Sequence, residues 1–106
     1  MSGGLQTKFT NEYKEFRETL TNGQLLNLRA TLQHRIVGGT LQEKGLTILK
    51  VGGALQFHVY VDRRNGSIWM LGGHWVRHGE PTKAFLERMN HYAEDLLLEK
   101  SPAEPT

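Results

Sequence analysis

Between residues 55 and 79 the chain reads LQFHVYVDRRNGSIWMLGGHWVRHG, which holds three of its five histidines, three arginines, both tryptophans and a tyrosine. Imidazoles exchange protons near neutral pH, guanidinium groups fit phosphate oxygens, and aromatic faces stack bases. These are the tools for cutting RNA through its own 2′-hydroxyl. That reaction needs a group to accept the hydroxyl proton, a group to protonate the departing 5′-oxygen, and a cation beside the charge that builds on phosphorus. His58, Tyr60 and His78 are the candidates for proton transfer, with Arg77 beside the developing charge. Lys50, Arg63, Arg64, Trp69, His74 and Trp75 are the candidates for holding the nucleic acid.

Each of these residues also has an ordinary explanation. His58 and Tyr60 alternate with apolar residues and suit the solvated face of a hairpin. Arg63 and Arg64 stand beside Asn65-Gly66, a normal place for solvated turn charges. Trp69 is odd on a polar face, where it either stacks a base or packs with Leu71 under a helix. Trp75 is as well explained as a core plug. His34 and His91 sit in helical stretches with no partner in view. His74 and His78 have a spacing that binds metal on one face of a helix, with His58 as a third ligand, but Gly72, Gly73, Gly79 and Pro81 argue against a helix there. No metal or other cofactor is expected. There is no Ser-His-Asp set, P-loop or dinucleotide fingerprint, and the lack of cysteine removes thiolate catalysis and disulfides, which fits a reducing compartment.

The elements that must position these groups follow from periodicity. Phe9, Tyr13, Phe16 and Leu20 form one helical stripe, and Leu25, Leu28, Leu32 and Ile36 a second, opened by a Thr21/Gln24 capping box and closed by Gly38-Gly39. A brief strand from Leu5 to Phe9 is a weak further possibility. Leu46 to Val51 is a first firm strand, and Leu55 to Asp62 alternates cleanly. Asn65-Gly66 signals a two-residue type I′ hairpin, which would set Arg64 opposite Ser67 and Val61 opposite Met70. One face then carries Phe57, Val59, Val61, Ile68 and Met70; the other carries His58, Tyr60, Asp62, Trp69 and Leu71. Gly72-Gly73 ends or bulges the strand. Pro81 precedes a last helix with an apolar face of Phe85, Leu86, Met89, Tyr92, Ala93, Leu96 and Leu97.

The fold class is therefore α+β: two N-terminal helices, an antiparallel meander of three to four strands and a C-terminal helix. At 106 residues it fits one domain over residues 1–100, with 101–106 a flexible tail. The net charge of +2 is modest, but Arg63, Arg64 and Arg77 against Asp62 make a local basic patch that suits a phosphate-bearing partner. No segment is apolar enough to cross a membrane or resembles a signal peptide, so a cytoplasmic protein is expected.

This order of elements resembles the RelE/ParE superfamily of bacterial toxins, particularly its HigB-like, phage-related branch. LTILKVGGALQFHVYV is similar to the family's strand, small turn and strand. SIWMLGGHWVRHGEPTKAFLERMNHYAEDLL is similar to its strand ending in an aromatic, two basic residues, a loop with proline and a helix. The likeness spans about residues 25 to 98. It implies a RelE-like fold and the toxin of a type II toxin–antitoxin system, an endoribonuclease that cleaves mRNA, often in the ribosome, and is silenced by a cognate antitoxin. By position, Trp75, Arg77 and His78 stand where the family often has Phe, Lys and Lys, Lys50 in its basic strand, and His58 where arginine is common. Fewer lysines and arginines line this region than in the family, some of whose members poison gyrase instead. A non-catalytic binding module using the same sheet face, or an oligomeric domain joined through Tyr60, Trp69 and Leu71, are the rival expectations.

Overall fold

Strict alternation over residues 55–62 and an apolar run opening residues 67–75 build the two central strands of the sheet. The computed structural model describes residues 6–39, 41 and 43–100, so Leu5 and the tail at 101–106 lie outside them. Among the described residues the order is β1 (Gln6–Phe9), α1 (Asn11–Arg17), α2 (Asn22–Val37), β2 (Lys44–Val51), β3 (Leu55–Asp62), β4 (Ser67–Trp75), a 3-10 turn (Val76–His78) and α3 (Lys83–Leu97). The chain is α+β, as the periodicities require. The four strands lie in the order β1-β4-β3-β2, with β2 and β4 each antiparallel to β3. The expected antiparallel meander is β2-β3-β4, and β1 adds to β4 in parallel, which makes the sheet as a whole mixed.

The predicted caps form. Thr21 and Gln24 exchange both bonds of the capping box, and α2 stops at Gly38, with Gly39 at φ 68°. The first helical stripe is shared between two elements, since Phe9 belongs to β1 and α1 starts only after Thr10. Thr10 is completely buried; its hydroxyl accepts from the Tyr13 amide and donates to the Leu71 carbonyl at 2.7 Å. It thereby caps α1 and ties it to the middle of β4.

The hairpin register differs from expectation. Tyr60 faces Trp69 and Val61 faces Ile68, because the turn has four residues, 63 to 66. The Asp62 carboxylate accepts from both the backbone and the side-chain amide of Asn65, and of the residues in the turn only Gly66 has positive φ, so a type I′ turn is excluded. The displacement is an even number of residues, which leaves every side chain on its expected face. The β-bulge falls at Leu71 rather than at Gly72-Gly73, and β4 runs through both glycines to Trp75.

The sheet separates two apolar clusters. On one face, α1 and α2 set Tyr13, Leu28 and Phe16 against Phe57, Val59, Val61, Ile68 and Met70. On the other, α3 brings Phe85, Met89, Tyr92 and Leu96 onto Tyr60 and Leu71. A bidentate Arg88–Glu12 pair at 2.9 Å, joined by the Tyr92 hydroxyl donating to the same carboxylate at 3.0 Å, links α3 to α1. Among the described residues no helix is long and apolar enough to cross a membrane.

Candidate functional site

Strand register brings one group of polar side chains together. Lys50 on β2 pairs with Gln56 on β3, and Gln56 pairs with His74 on β4, so an ammonium, an amide and an imidazole stand in one row across three strands. Directly paired residues share a face, and neighbouring strands are about 5 Å apart. His58 occupies the next row, between Ile48 and Gly72. Its ring centroid is 5.9 Å from that of His74, and the edge of Phe85 meets both, at 5.2 and 5.6 Å.

The absence of a side chain at Gly72 makes this arrangement possible. A Cβ there would lie 2.8 Å from the Met89 methyl and 3.3 Å from the Phe85 ring, so α3 settles closely beside His58 because that position is glycine. His58 is 3% exposed, and neither of its ring nitrogens has a hydrogen-bond partner among the described residues. The buried Nε2 of His74 is equally unpartnered. Burial, and then the nearby His74 ring, hold the His58 imidazole below its ordinary pKa, so it is neutral at physiological pH. Access to it is from the side: His58 lines a cleft of about 540 Å³ between β2 and α3, beside Ile48, Leu86 and Asn90.

The other predicted residues are placed elsewhere. Tyr60 was expected on an open face but is 3% exposed beneath α3; burial and then the Asp62 charge push its phenol up, and its hydroxyl has no partner among the described residues. Trp69 packs into the same cluster, with the Lys8 ammonium 5.8 Å from its ring, which is the covering role rather than base stacking. Arg63 and Arg64 form the first half of the hairpin turn, at the far end of β3 from Gln56, about 20 Å away at strand spacing. The Arg63 guanidinium donates to the Leu41 carbonyl. Trp75 packs on the α1 side against Phe16, and the Arg77 guanidinium stacks on it at 4.7 Å. Arg77 therefore serves the face opposite His74. His78 is exposed on the 3-10 turn.

The expected convergence of His58, Tyr60, His78 and Arg77 on one exposed point is thus corrected to a different group of four: Lys50, Gln56, His74 and His58. Gln56 was missed, although it continues the alternation of His58 and Tyr60; its neighbours depend on turn length and on the bulge. Phe85 was read only as core. Among the described residues no three His, Asp or Glu side chains gather to hold a metal, so His58, His74 and His78 form no such set. Two imidazoles, one neutral, beside a lysine can hold a phosphate and exchange protons with it. No known family model, curated protein or solved structure matches the chain.

Proposed function

We propose that this protein is an endoribonuclease, in keeping with its resemblance to RelE/HigB-like toxins of type II toxin–antitoxin systems, and that its chemistry belongs to the His58–His74 pair. The observation that carries the reading is the ring separation of 5.9 Å, with three unpartnered nitrogens, next to Lys50 and Gln56. Neutral His58 is suited to accept the 2′-hydroxyl proton, and the His74 imidazole to pass a proton to the leaving 5′-oxygen. Lys50 then offsets charge on the phosphorane-like state, and Gln56 hydrogen-bonds a phosphate oxygen. Phe85 stands over both rings, so RNA reaches them along the β2–α3 cleft or when the first turn of α3 lifts. mRNA, the ribosome and a cognate antitoxin are the partners this reading implies, in the cytoplasm.

Incubating the purified protein with RNA, alone and with ribosomes, tests it. Fragments ending in 2′,3′-cyclic phosphate are expected, with His74→Ala and His58→Gln each slowing cleavage by about 10²-fold or more and Lys50→Ala by about tenfold. Intact RNA under both conditions overturns it.

The burial of Tyr60 and His58, each 3% exposed, favours a second reading, in which the same row binds an RNA backbone without cutting it. Salt-sensitive RNA binding that is lost in Lys50→Ala, with no fragments from the wild type, is its signature.

A further inference from the structure

A pocket of about 280 Å³ opens on the opposite side of the molecule from the imidazole pair, between β1, α1 and α2. Leu28 and Met70, exposed by only 4% and 1%, line it together with Phe9, Leu25 and Leu32. Its charged groups are all cationic: Arg17 and Arg29. The Arg17 guanidinium is 5.0 Å from the Phe9 ring and 5.6 Å from that of Tyr13, and these two rings stack on each other at 5.3 Å. It is therefore packed against two aromatic rings rather than against a carboxylate. Among the described residues neither arginine forms an ion pair with a carboxylate. Both act on the Tyr13 hydroxyl, lowering its pKa against the larger upward push of burial.

An enclosed apolar wall beside two unneutralised guanidinium groups is complementary to a molecule with one hydrocarbon end and one anionic end. The wall removes hydrocarbon from water, and guanidinium matches the planar fork of a carboxylate. A bare cation or a neutral polar molecule satisfies only half of that lining. A space of about 280 Å³ holds on the order of ten non-hydrogen atoms, near the lower limit for small-molecule sites. We propose that this pocket binds a small amphipathic carboxylate, a medium-length alkyl or aryl acid, with its hydrocarbon on Leu28 and Met70 and its carboxylate between Arg17 and Arg29.

Octanoate, octylammonium and octanol are the probes, followed through the methionine methyl resonances of the full chain. Octanoate is expected to shift the Met70 methyl saturably while the Met89 methyl, on the other side of the sheet, stays in place. Arg17→Gln and Arg29→Gln, both at solvent-accessible positions, should each weaken octanoate by about tenfold, as loss of a charge-assisted hydrogen bond does, without altering helix content. Leu28→Phe, which fills the pocket, should abolish the shift; if that variant misfolds, the two arginine variants decide alone. Equal affinity for octanoate and octylammonium, a shift at Met89 as large as at Met70, or no shift at Met70 overturns the proposal.

Discussion

The two ends of the sheet face beneath α3 are built by the same alternation of β3 and β4 yet are opposite in character. At the hairpin end Tyr60, Trp69 and Leu71 meet Tyr92 and Leu96 and become core. At the other end Gln56 and His74 are only half covered, Lys50 is exposed, and His58 lies under one aromatic edge. The difference comes from α3, which lays Tyr92 and Leu96 over the first end and Phe85 and Met89 over His58, but leaves Gln56, His74 and Lys50 largely uncovered. A strand pattern thus decides which residues share a face; the helix laid across it decides which of them water can reach.

Weakening the covered end should have the largest effect. Met89, 1% exposed, packs between the two ends, and Met89→Ala is expected to destabilise the fold by about 3 kcal/mol, measured as a lower midpoint in denaturant. A loss below about 1 kcal/mol would mean that α3 is not an integral part of the core.

A pH titration probes the boundary between the ends. His58 has a lowered pKa in the folded chain, so as pH falls through about 6.5 the unfolded chain takes up a proton that the folded one refuses. Stability should therefore fall as pH drops below about 6.5 and level off once the folded-state pKa is passed. Around the ring stand Phe85, Met89 and Asn90 from α3, Ile48 and Lys50 from β2, and Gln56 and His74, with no carboxylate among these described neighbours to compensate. His58→Gln should flatten this part of the profile; an unchanged slope assigns it to other groups.

The open end should give the smallest effect on stability. Lys50→Ala is expected to change it by less than about 0.5 kcal/mol, in contrast to its effect on RNA. Equal losses in both would make Lys50 a structural residue.

Several features were legible because a single local rule governs them. The Thr21/Gln24 box, the Gly38-Gly39 stop and the alternation of β3 depend on neighbours in the chain. The turn did not, since Asn65-Gly66 suits more than one loop length and the carboxylate of Asp62 selects the longer. Nor did the coverage of Tyr60 and His58. The clue was that Trp69 and Leu71 shared their face: large apolar groups there need a cover, and the apolar stripe of α3 was available to supply it. Thr10 could not be recognised, because its partner Leu71 is 61 residues away. Nor was the place of Arg77 legible, because it lies on the 3-10 turn beyond β4, where no strand alternation sets its direction and its guanidinium stacks on Trp75.

The parallel pairing of β1 with β4 gives the chain an order of assembly. Residues 6–9 are made about sixty residues before the strand they join, which begins at Ser67. Among the described strands the first in the chain must wait for the last, so closing that long loop is expected to set the pace of folding.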